Sequence, residues 1–262
     1  MKYNLYISSD LGKVRENNED NFSVGTVMRK STQSKVHLKG IRDDSHLICA
    51  VYDGMGGEVC GDIASQICAE EAVSLQKQTL EEGNLTDDMV NEFVQRANDR
   101  IVEMVKSRGA RRGGSTFAML YLNDDKITPY SLGDSRIYLY RNEKLNQISA
   151  DHTLAMKKYR ANIYTLEEAL ASADSHKLTS FIGVDSEGQG LQAQKYDAIT
   201  LEKGDKLLLC SDGLYDMCSD DIIAKLLSRD SNSISRDLVK AALHYGGIDN
   251  VTCIVIELAN EQ

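Results

Sequence analysis

Short apolar runs separated by polar turns fill most of this chain, and two longer stretches repeat their apolar residues at helical spacing. Tyr3 to Ser8 alternates like a strand and ends in turn-forming Ser9-Asp10-Leu11-Gly12. Leu47 to Val51 is an apolar run of strand length that leads to Asp53-Gly54-Met55-Gly56-Gly57. Beyond it, Ile63, Ile67, Cys68, Ala72 and Leu75 mark one helix. Val90, Phe93, Val94, Ala97, Ile101 and Val105 mark a second, with Thr86 as N-cap and Asp87-Asp88 in its positive first turn. Strands are expected next at Thr116–Leu122, Ile127–Leu132, Arg136–Tyr140 and Lys144–Ile148, joined by short polar turns as an antiparallel meander. A capping box at Thr165-Leu166-Glu167-Glu168 starts a short helix. Lys206 to Cys210 reads as a strand, helices follow from Ser219 to Leu227 and from Ser233 to Tyr245, and a last strand runs from Val251 to near Leu258. Residues 29 to 45, basic and polar in their first half, read as a solvated hairpin or loop. Runs of like elements, rather than strand–helix alternation, imply an α+β domain with antiparallel sheets packed together and helices outside.

Acids stand at the ends of these strands. Asp53 closes the Leu47 run in a glycine-rich turn, where missing side chains let a ligand approach the backbone. Asp212-Gly213 closes the Lys206 strand, and Gly246-Gly247-Ile248-Asp249-Asn250 leads into the last one. Asp134 lies in the Gly133-Asp134-Ser135 turn. A polar segment, Arg15-Glu16-Asn17-Asn18-Glu19-Asp20-Asn21, sets one guanidinium, a bidentate phosphate fork, beside acids. Four carboxylates, Asp53, Asp134, Asp212 and Asp249, thus stand at strand ends, where an ion or phosphate could touch both a carboxylate and a main-chain carbonyl. All-oxygen ligands suit Mg²⁺ or Mn²⁺ better than zinc.

Composition narrows the class. The 262 residues, 42% of them apolar, are enough for a sizeable core, and with Pro129 as the one proline and no low-complexity linker a single domain over 1-262 is expected. A net charge of -10 argues against nucleic-acid binding. No stretch reads as a membrane span or signal sequence, so a soluble, cytoplasmic monomer is the expectation. Cys49, Cys60, Cys68, Cys210, Cys218 and Cys253 form no C-x-x-C pair and read as reduced core residues. Cys60 lacks the downstream arginine and amide loop that would stabilise a nucleophilic thiolate. His152, beside Asp151, reads as a hydrogen-bonded structural residue, and Lys106 to Arg112 forms a basic patch.

The order of motifs carries a family resemblance. Arg15-x-x-x-Glu19-Asp20, Asp53-Gly54-x-Gly56-Gly57, Gly114-Ser115-Thr116, Gly133-Asp134-Ser135-Arg136, Asp151-His152-Thr153, Leu178-Thr179-x-x-Ile182-Gly183, Ser211-Asp212-Gly213-Leu214 and Asp249-Asn250-x-Thr252 occur in the order of the metal-dependent serine/threonine protein phosphatases of type 2C. The resemblance runs from about Ser8 to Glu257. It implies a four-layer αββα architecture, a central antiparallel β-sandwich flanked by helices on both sides, with two Mn²⁺ or Mg²⁺ ions at one end. By the same resemblance Asp53 bridges both ions, Gly54 supplies a backbone carbonyl, and Asp212 and Asp249 complete the first shell. Glu19 and Asp20 hold metal-bound waters, Arg15 grips the substrate phosphate, and Asp134 with Asp212 makes a third, weaker metal position.

The implied reaction is hydrolysis of phosphoserine and phosphothreonine in proteins by a hydroxide shared between two metals, without a phosphoenzyme. Expected partners are phosphorylated proteins, targets of a Hanks-type serine/threonine kinase. Met55 stands where many eukaryotic relatives carry histidine, which makes the chain look bacterial and leaves the leaving group to another proton donor. The segment from about 153 to 176 corresponds to a mobile flap, and Asn162 replaces a common glycine there while tolerating left-handed geometry. Two alternative readings are a catalytically weak relative acting as a phosphoprotein-binding regulator and a small-molecule phosphoesterase.

Overall fold

The computed structural model describes residues 1–56, 60–184 and 191–259. Gly57, part of the expected glycine turn, lies outside the described residues. In chain order the elements are β1 (Tyr3–Asp10), β2 (Asp20–Val24), β3 (Val27–Met28), β4 (Lys35–Arg42), β5 (Leu47–Met55), α1 (Gly61–Glu82) and α2 (Asp87–Ser107). Then come β6 (Gly114–Ser115), β7 (Phe117–Asn123), β8 (Lys126–Leu132), β9 (Arg136–Arg141), β10 (Lys144–Gln147), α3 (Leu154–Arg160) and α4 (Leu166–Ala171). The chain closes with β11 (Gln194–Lys195), β12 (Ile199–Thr200), β13 (Lys206–Cys210), α5 (Asp212–Tyr215), α6 (Asp220–Leu227), α7 (Ile234–His244) and β14 (Val251–Leu258).

Two antiparallel sheets result. One has the order β10-β9-β13-β14-β1-β4, the other β11-β8-β7-β5-β2-β3, with β12 added to β8 and β6 to β5. The central strands read as unbroken apolar runs because both of their faces are buried. On β5, Leu47, Cys49 and Val51 pack between the sheets, while Ile48, Ala50 and Tyr52 pack toward α1 and α2 against Cys68, Val94 and Phe93. On β13 and β14, Leu207, Leu209, Ile254 and Ile256 face the sandwich interior. Leu208, Cys210, Cys253 and Val255 face Ile223, Leu227, Leu238 and Ala242 of α6 and α7. Three apolar interfaces between four layers thus give the αββα arrangement, each fully buried Leu or Ile contributing about 1.5–3 kcal/mol of transfer free energy. The six cysteines are free and buried.

Several expectations change. The four-strand meander is split: β7 and β8 pair with each other, but β9 joins β13 and β10 in the opposite sheet. Alternation shows which face of a strand is buried and not which sheet it joins, and the Gly133-Asp134-Ser135 turn carries the chain across the sandwich. Gly133 has φ +107 and packs so tightly on Thr116 that a Cβ there would lie 2.5 Å from its side chain. Residues 29 to 45, expected as a solvated hairpin or loop, hold a strand that pairs with β1 instead of with a neighbour in sequence. β4 is an edge strand paired with β1 from Tyr3↔Arg42 to Asp10↔Lys35, and its mostly exposed side chains hid it among polar residues. Helix α3 was not anticipated. The Thr86 cap on Met89 and the Thr165–Glu168 capping box are present, and Asn162 adopts φ 56. Ser219 sits at the N-cap of α6 but makes no side-chain cap bond.

Candidate metal centre

The inner faces of the strands change chemistry at one end of the sandwich. Following the period of two, Leu5 and Ile7 lead to Ser9, Ile256 and Ile254 to Thr252, and Leu207 and Leu209 to Ser211. In the other sheet Val24 and Phe22 lead to Asp20, Cys49 and Val51 to Asp53, and Leu120 and Ala118 to Thr116. The apolar members of each series belong to the inter-sheet core. Hydroxyls knit the floor of this end: Ser9 Oγ and Thr252 Oγ1 lie 2.8 Å apart, Ser211 Oγ donates to Asp20 Oδ2 at 2.6 Å, and Thr116 Oγ1 meets Ser135 Oγ at 2.6 Å.

The acids rise from that floor. Asp53 and Asp20 are direct partners across β5 and β2. Asp212 opens α5 immediately after β13, and Gly213 lets that turn press on the loop before β14, because a Cβ there would fall 2.0 Å from the Asn250 carbonyl oxygen. Asn250 in turn accepts from Glu19 N at 2.7 Å and donates to Leu11 O and Asn17 O, tying the Arg15–Glu19 segment to Asp249. Gly54 is required by crowding, since a Cβ would fall 2.1 Å from Gly61 O and 2.6 Å from Glu19 O. Tyr215 donates to Asp134 O at 3.0 Å, and Arg136, paired with Asp151 at 2.7 Å, stacks on the Tyr215 ring at 3.6 Å.

Electrostatics register the crowding. Burial first, then the charges of Asp212, Asp20, Asp134 and Asp249, hold Asp53 well above the ordinary carboxylate range. Asp212 is raised the same way, by burial and then by Asp134, Asp249, Asp216 and Asp20. Burial pushes Asp134 up to about 7, with Asp151 adding to it. Glu19 is also pushed to about 7 by burial, against the opposing pull of Arg15. Burial raises Asp20 to about 6 despite the Ser211 and Thr252 hydroxyls. A buried nest of carboxylates with hard oxygen donors and mutual repulsion fits a pair of Mg²⁺ or Mn²⁺ ions, which would hold these groups ionised.

The expected residues therefore converge on one end of the sandwich, with two qualifications. Asp249 is engaged by Arg15, Nη2 to Oδ2 at 2.6 Å. Among the described residues, the group whose ligand atoms all lie within 4.8 Å of one another is His176, Asp212 and Asp216. Sequence reading missed His176 and Asp216, although Asp216 stands one helical turn after Asp212. It also missed Arg29, 1% exposed, whose guanidinium donates to Asp20 O, Asn18 O and Gln33 O at 2.8, 2.8 and 2.7 Å. Its position in a polar stretch gave no sign of burial. His152 is hydrogen-bonded on both ring nitrogens, to Gly133 N and Gln194 Oε1.

The family model described as protein phosphatase 2C matches residues 33–244. The chain belongs to the protein phosphatase 2C family. Protein phosphatase PhpP of Streptococcus pneumoniae is 28% identical over 260 residues, 98% of each chain. The crystal structure of the Mycobacterium tuberculosis serine/threonine phosphatase PstP/Ppp superposes with a TM-score of 0.79 at 28% identity, over 99% of this phosphatase 2C chain and 100% of that one. A structure of the catalytic domain of PstP in complex with 2 manganese ions gives a TM-score of 0.75 at 28% identity, over 98% and 100%.

Proposed function

We propose that this chain removes phosphate from phosphoserine and phosphothreonine in proteins phosphorylated by a serine/threonine kinase. Asp53, the Gly54 carbonyl, Asp212 and Asp249 would hold two Mn²⁺ or Mg²⁺ ions, Glu19 and Asp20 would orient the water around them, and Asp134 with Asp212 would serve a third position. The observation that carries this reading is the clustering of acids at one end of the sandwich, with Asp20 directly opposite Asp53 in the β2–β5 ladder and Asp212, Asp134 and Asp249 near enough to raise Asp53 further. When bound, the ions supply the positive charge that activates water and neutralises phosphate oxygens.

The chain's own groups do the rest. Arg15, half exposed, would grip equatorial phosphate oxygens with its guanidinium, and its ion pair with Asp249 would hold it in position beforehand. Ser211, Thr252 and Thr116 spend their hydroxyls on Asp20 and on the floor, so they orient acids rather than attack phosphorus. Cys60 is fully buried and unsuited to nucleophilic attack. Met55, paired with Gly114 at the end of β5, has no proton to give the departing seryl oxygen. Among the described residues no helix is long and apolar enough to cross a membrane.

Turnover of phosphothreonine peptides should need Mn²⁺ or Mg²⁺ and stop in EDTA. Comparison with nucleotides and sugar phosphates decides the substrate class: a marked preference for the small molecules would overturn the proposal. Binding of phosphopeptide without phosphate release would assign the chain to a regulatory role instead.

A further inference from the structure

The outer surface of β4 and α7 concentrates positive charge that the acidic centre does not use. From Arg29 to Arg42 the chain has five Lys and Arg residues and no acid, in a protein of net charge -10. Lys35, His37 and Lys39 alternate along β4, so they leave the same face of the strand, beside Asp10, Ser8 and Tyr6 of β1. That face meets α7: Ser8 Oγ lies 2.9 Å from His37 Nδ1 and 2.9 Å from Ser235 Oγ. Arg236 follows Ser235, and Lys240 comes one turn later, so the two are neighbours on the helix surface. Both are exposed. Burial, and after it Arg236, hold His37 below the usual histidine range, with Lys240 and Lys35 adding to the effect and Asp10 opposing it.

Little of this charge is cancelled. Lys35 is paired with Asp10 at 3.2 Å. Lys39 donates to Asn232 Oδ1 and lies 5.4 Å from the centre of the Tyr6 ring, and neither partner is an anion. Arg236 and Lys240 make no ion pair among the described residues. The acid between them, Asp237, accepts from the hydroxyls of Ser231 and Ser233 at 3.0 and 3.1 Å. The patch also runs into the mouth of the acidic centre. Just beyond α7, the Gly247 carbonyl accepts from Lys13 N at 2.7 Å, and Arg15, two residues on, is paired with Asp249. From β1, Asp10 Oδ1 accepts from Gly12 N at 2.9 Å. Gly12 in turn packs on the Asp249 main chain, where a Cβ would fall 2.3 Å from the carbonyl oxygen.

We propose that Arg236 and Lys240, flanked by Lys35 and Lys39, dock an acidic stretch of the phosphoprotein substrate and so select phosphorylation sites with Asp or Glu on one side. The proposal rests on the proposed function, whose substrate class it narrows. The rest of the surface repels an acidic peptide, so attraction confined to this patch fixes the direction in which the peptide lies. A larger polyanion, a nucleic acid or an anionic bilayer, would also face the acids that give the chain its charge of -10. At about 1.5 Å per helical residue, Lys240 and Arg236 stand roughly 6 and 12 Å back along α7 from His244. An extended peptide advances about 3.3 Å per residue, which places the docked acids about four to seven residues from the phosphothreonine.

Phosphothreonine peptides with four Glu or four Gln at those positions, on either side of the phosphorylated residue, test this in Mn²⁺ at low salt. Wild type should cleave one Glu peptide at least fivefold better in kcat/KM than its Gln counterpart, through KM, and about 0.5 M NaCl should remove the difference. Arg236→Glu/Lys240→Glu should lose the preference, while its melting temperature and its turnover of p-nitrophenyl phosphate, which has no flank, stay at the wild-type values. Lys77→Glu/Lys126→Glu makes the same change in net charge at exposed positions of α1 and β8, in the other half of the sandwich, and should keep it. Fluorescence anisotropy of the labelled, unphosphorylated Glu peptide in EDTA reads docking without catalysis, and wild type should bind at least fivefold more tightly than Arg236→Glu/Lys240→Glu. Equal rates on the Glu and Gln peptides would overturn the docking surface, as would a preference that survives in Arg236→Glu/Lys240→Glu or disappears equally in Lys77→Glu/Lys126→Glu. Binding of phosphatidylserine vesicles through Arg236 and Lys240, with none of the peptide, would overturn it too. If wild type turns over no phosphopeptide with Mn²⁺, the proposed function fails, while the anisotropy titration still decides this surface.

Discussion

Asp20 stands directly opposite Asp53 in the β2–β5 ladder, two carboxylates facing each other on the buried side of paired strands. Like charges at a cross-strand pair destabilise a sheet, and here Asp212, Asp134 and Asp249 add to the repulsion. A fold that keeps such a pair stores a demand for cations at that end of the sandwich. The consequence separates function from stability. Asp53→Asn removes one of the opposed charges, so the metal-free variant at pH 8 should melt at or above the wild-type temperature. Its turnover should nevertheless fall by about 10²- to 10³-fold, the scale seen when one preorganised electrostatic group is lost. Thermal melts in EDTA and steady-state assays in Mn²⁺ check both halves; a variant that is both less stable without metal and still active contradicts the placement.

The raised carboxyl groups set the pH dependence of the metal-free protein. Glu19 and Asp134, at about 7, and Asp20, at about 6, hold protons in the folded state that the unfolded chain releases near pH 4. Where the folded state binds more protons, stability falls as pH rises. In EDTA the protein should therefore lose stability between about pH 4.5 and 7.5, by an amount on the order of a few kcal/mol, dominated by the most deeply buried acids. For a chain of this size that is several degrees in Tm. Millimolar Mn²⁺ should flatten the slope, because bound cations remove the advantage of the protonated forms. A melting temperature that rises across that window in EDTA would be the opposite sign.

How legible was all this in the chain itself? The acids at strand ends were plain, since Asp53, Asp212 and Asp249 interrupt apolar runs beside glycines. The layers were plain too, because periodicity distinguishes helices from strands. What periodicity does not carry is the partner of each strand, so β9 was placed beside β8 when it belongs across the sandwich. Nor does it reveal burial enforced by backbone carbonyls. Arg29 looked like a solvated cation, and its burial depends on three carbonyls supplied by residues on both sides of it. His176 and Asp216 meet only because α5 and the 153–176 segment pack together.

Arg15 and Asp249 form an ion pair at 2.6 Å in a site still open to solvent. An exposed pair adds little to stability, about 0–1 kcal/mol. Arg15→Ala should leave the thermal midpoint almost unchanged. A guanidinium's hydrogen bonds to a charged phosphate contribute about 1.5–3 kcal/mol, so kcat/KM on phosphothreonine peptides should drop about 10- to 150-fold. Arg15→Lys keeps the charge but not the fork and should recover only part of it. Unaltered peptide kinetics in Arg15→Ala would remove this residue from the phosphate site.

Arg29 determines whether the acid-bearing segment is rigid. Its three short bonds go to the carbonyls of Asn18, Asp20 and Gln33, so the guanidinium fastens the main chain on either side of Glu19. Arg29→Met preserves much of the side-chain volume and strips every donor. Each carbonyl left buried without a partner costs about 1–3 kcal/mol, and a loss of about 3–5 kcal/mol in urea unfolding is expected after partial relaxation and hydration. The apparent Mn²⁺ affinity should weaken along with it, since Glu19 and Asp20 no longer start from a fixed backbone. Arg29→Lys, which offers a single ammonium in place of a planar fork, should fall between wild type and Arg29→Met on both measurements. A variant that unfolds at the wild-type urea concentration yet binds Mn²⁺ more weakly would mean that Arg29 acts on the centre electrostatically and not through the backbone it holds.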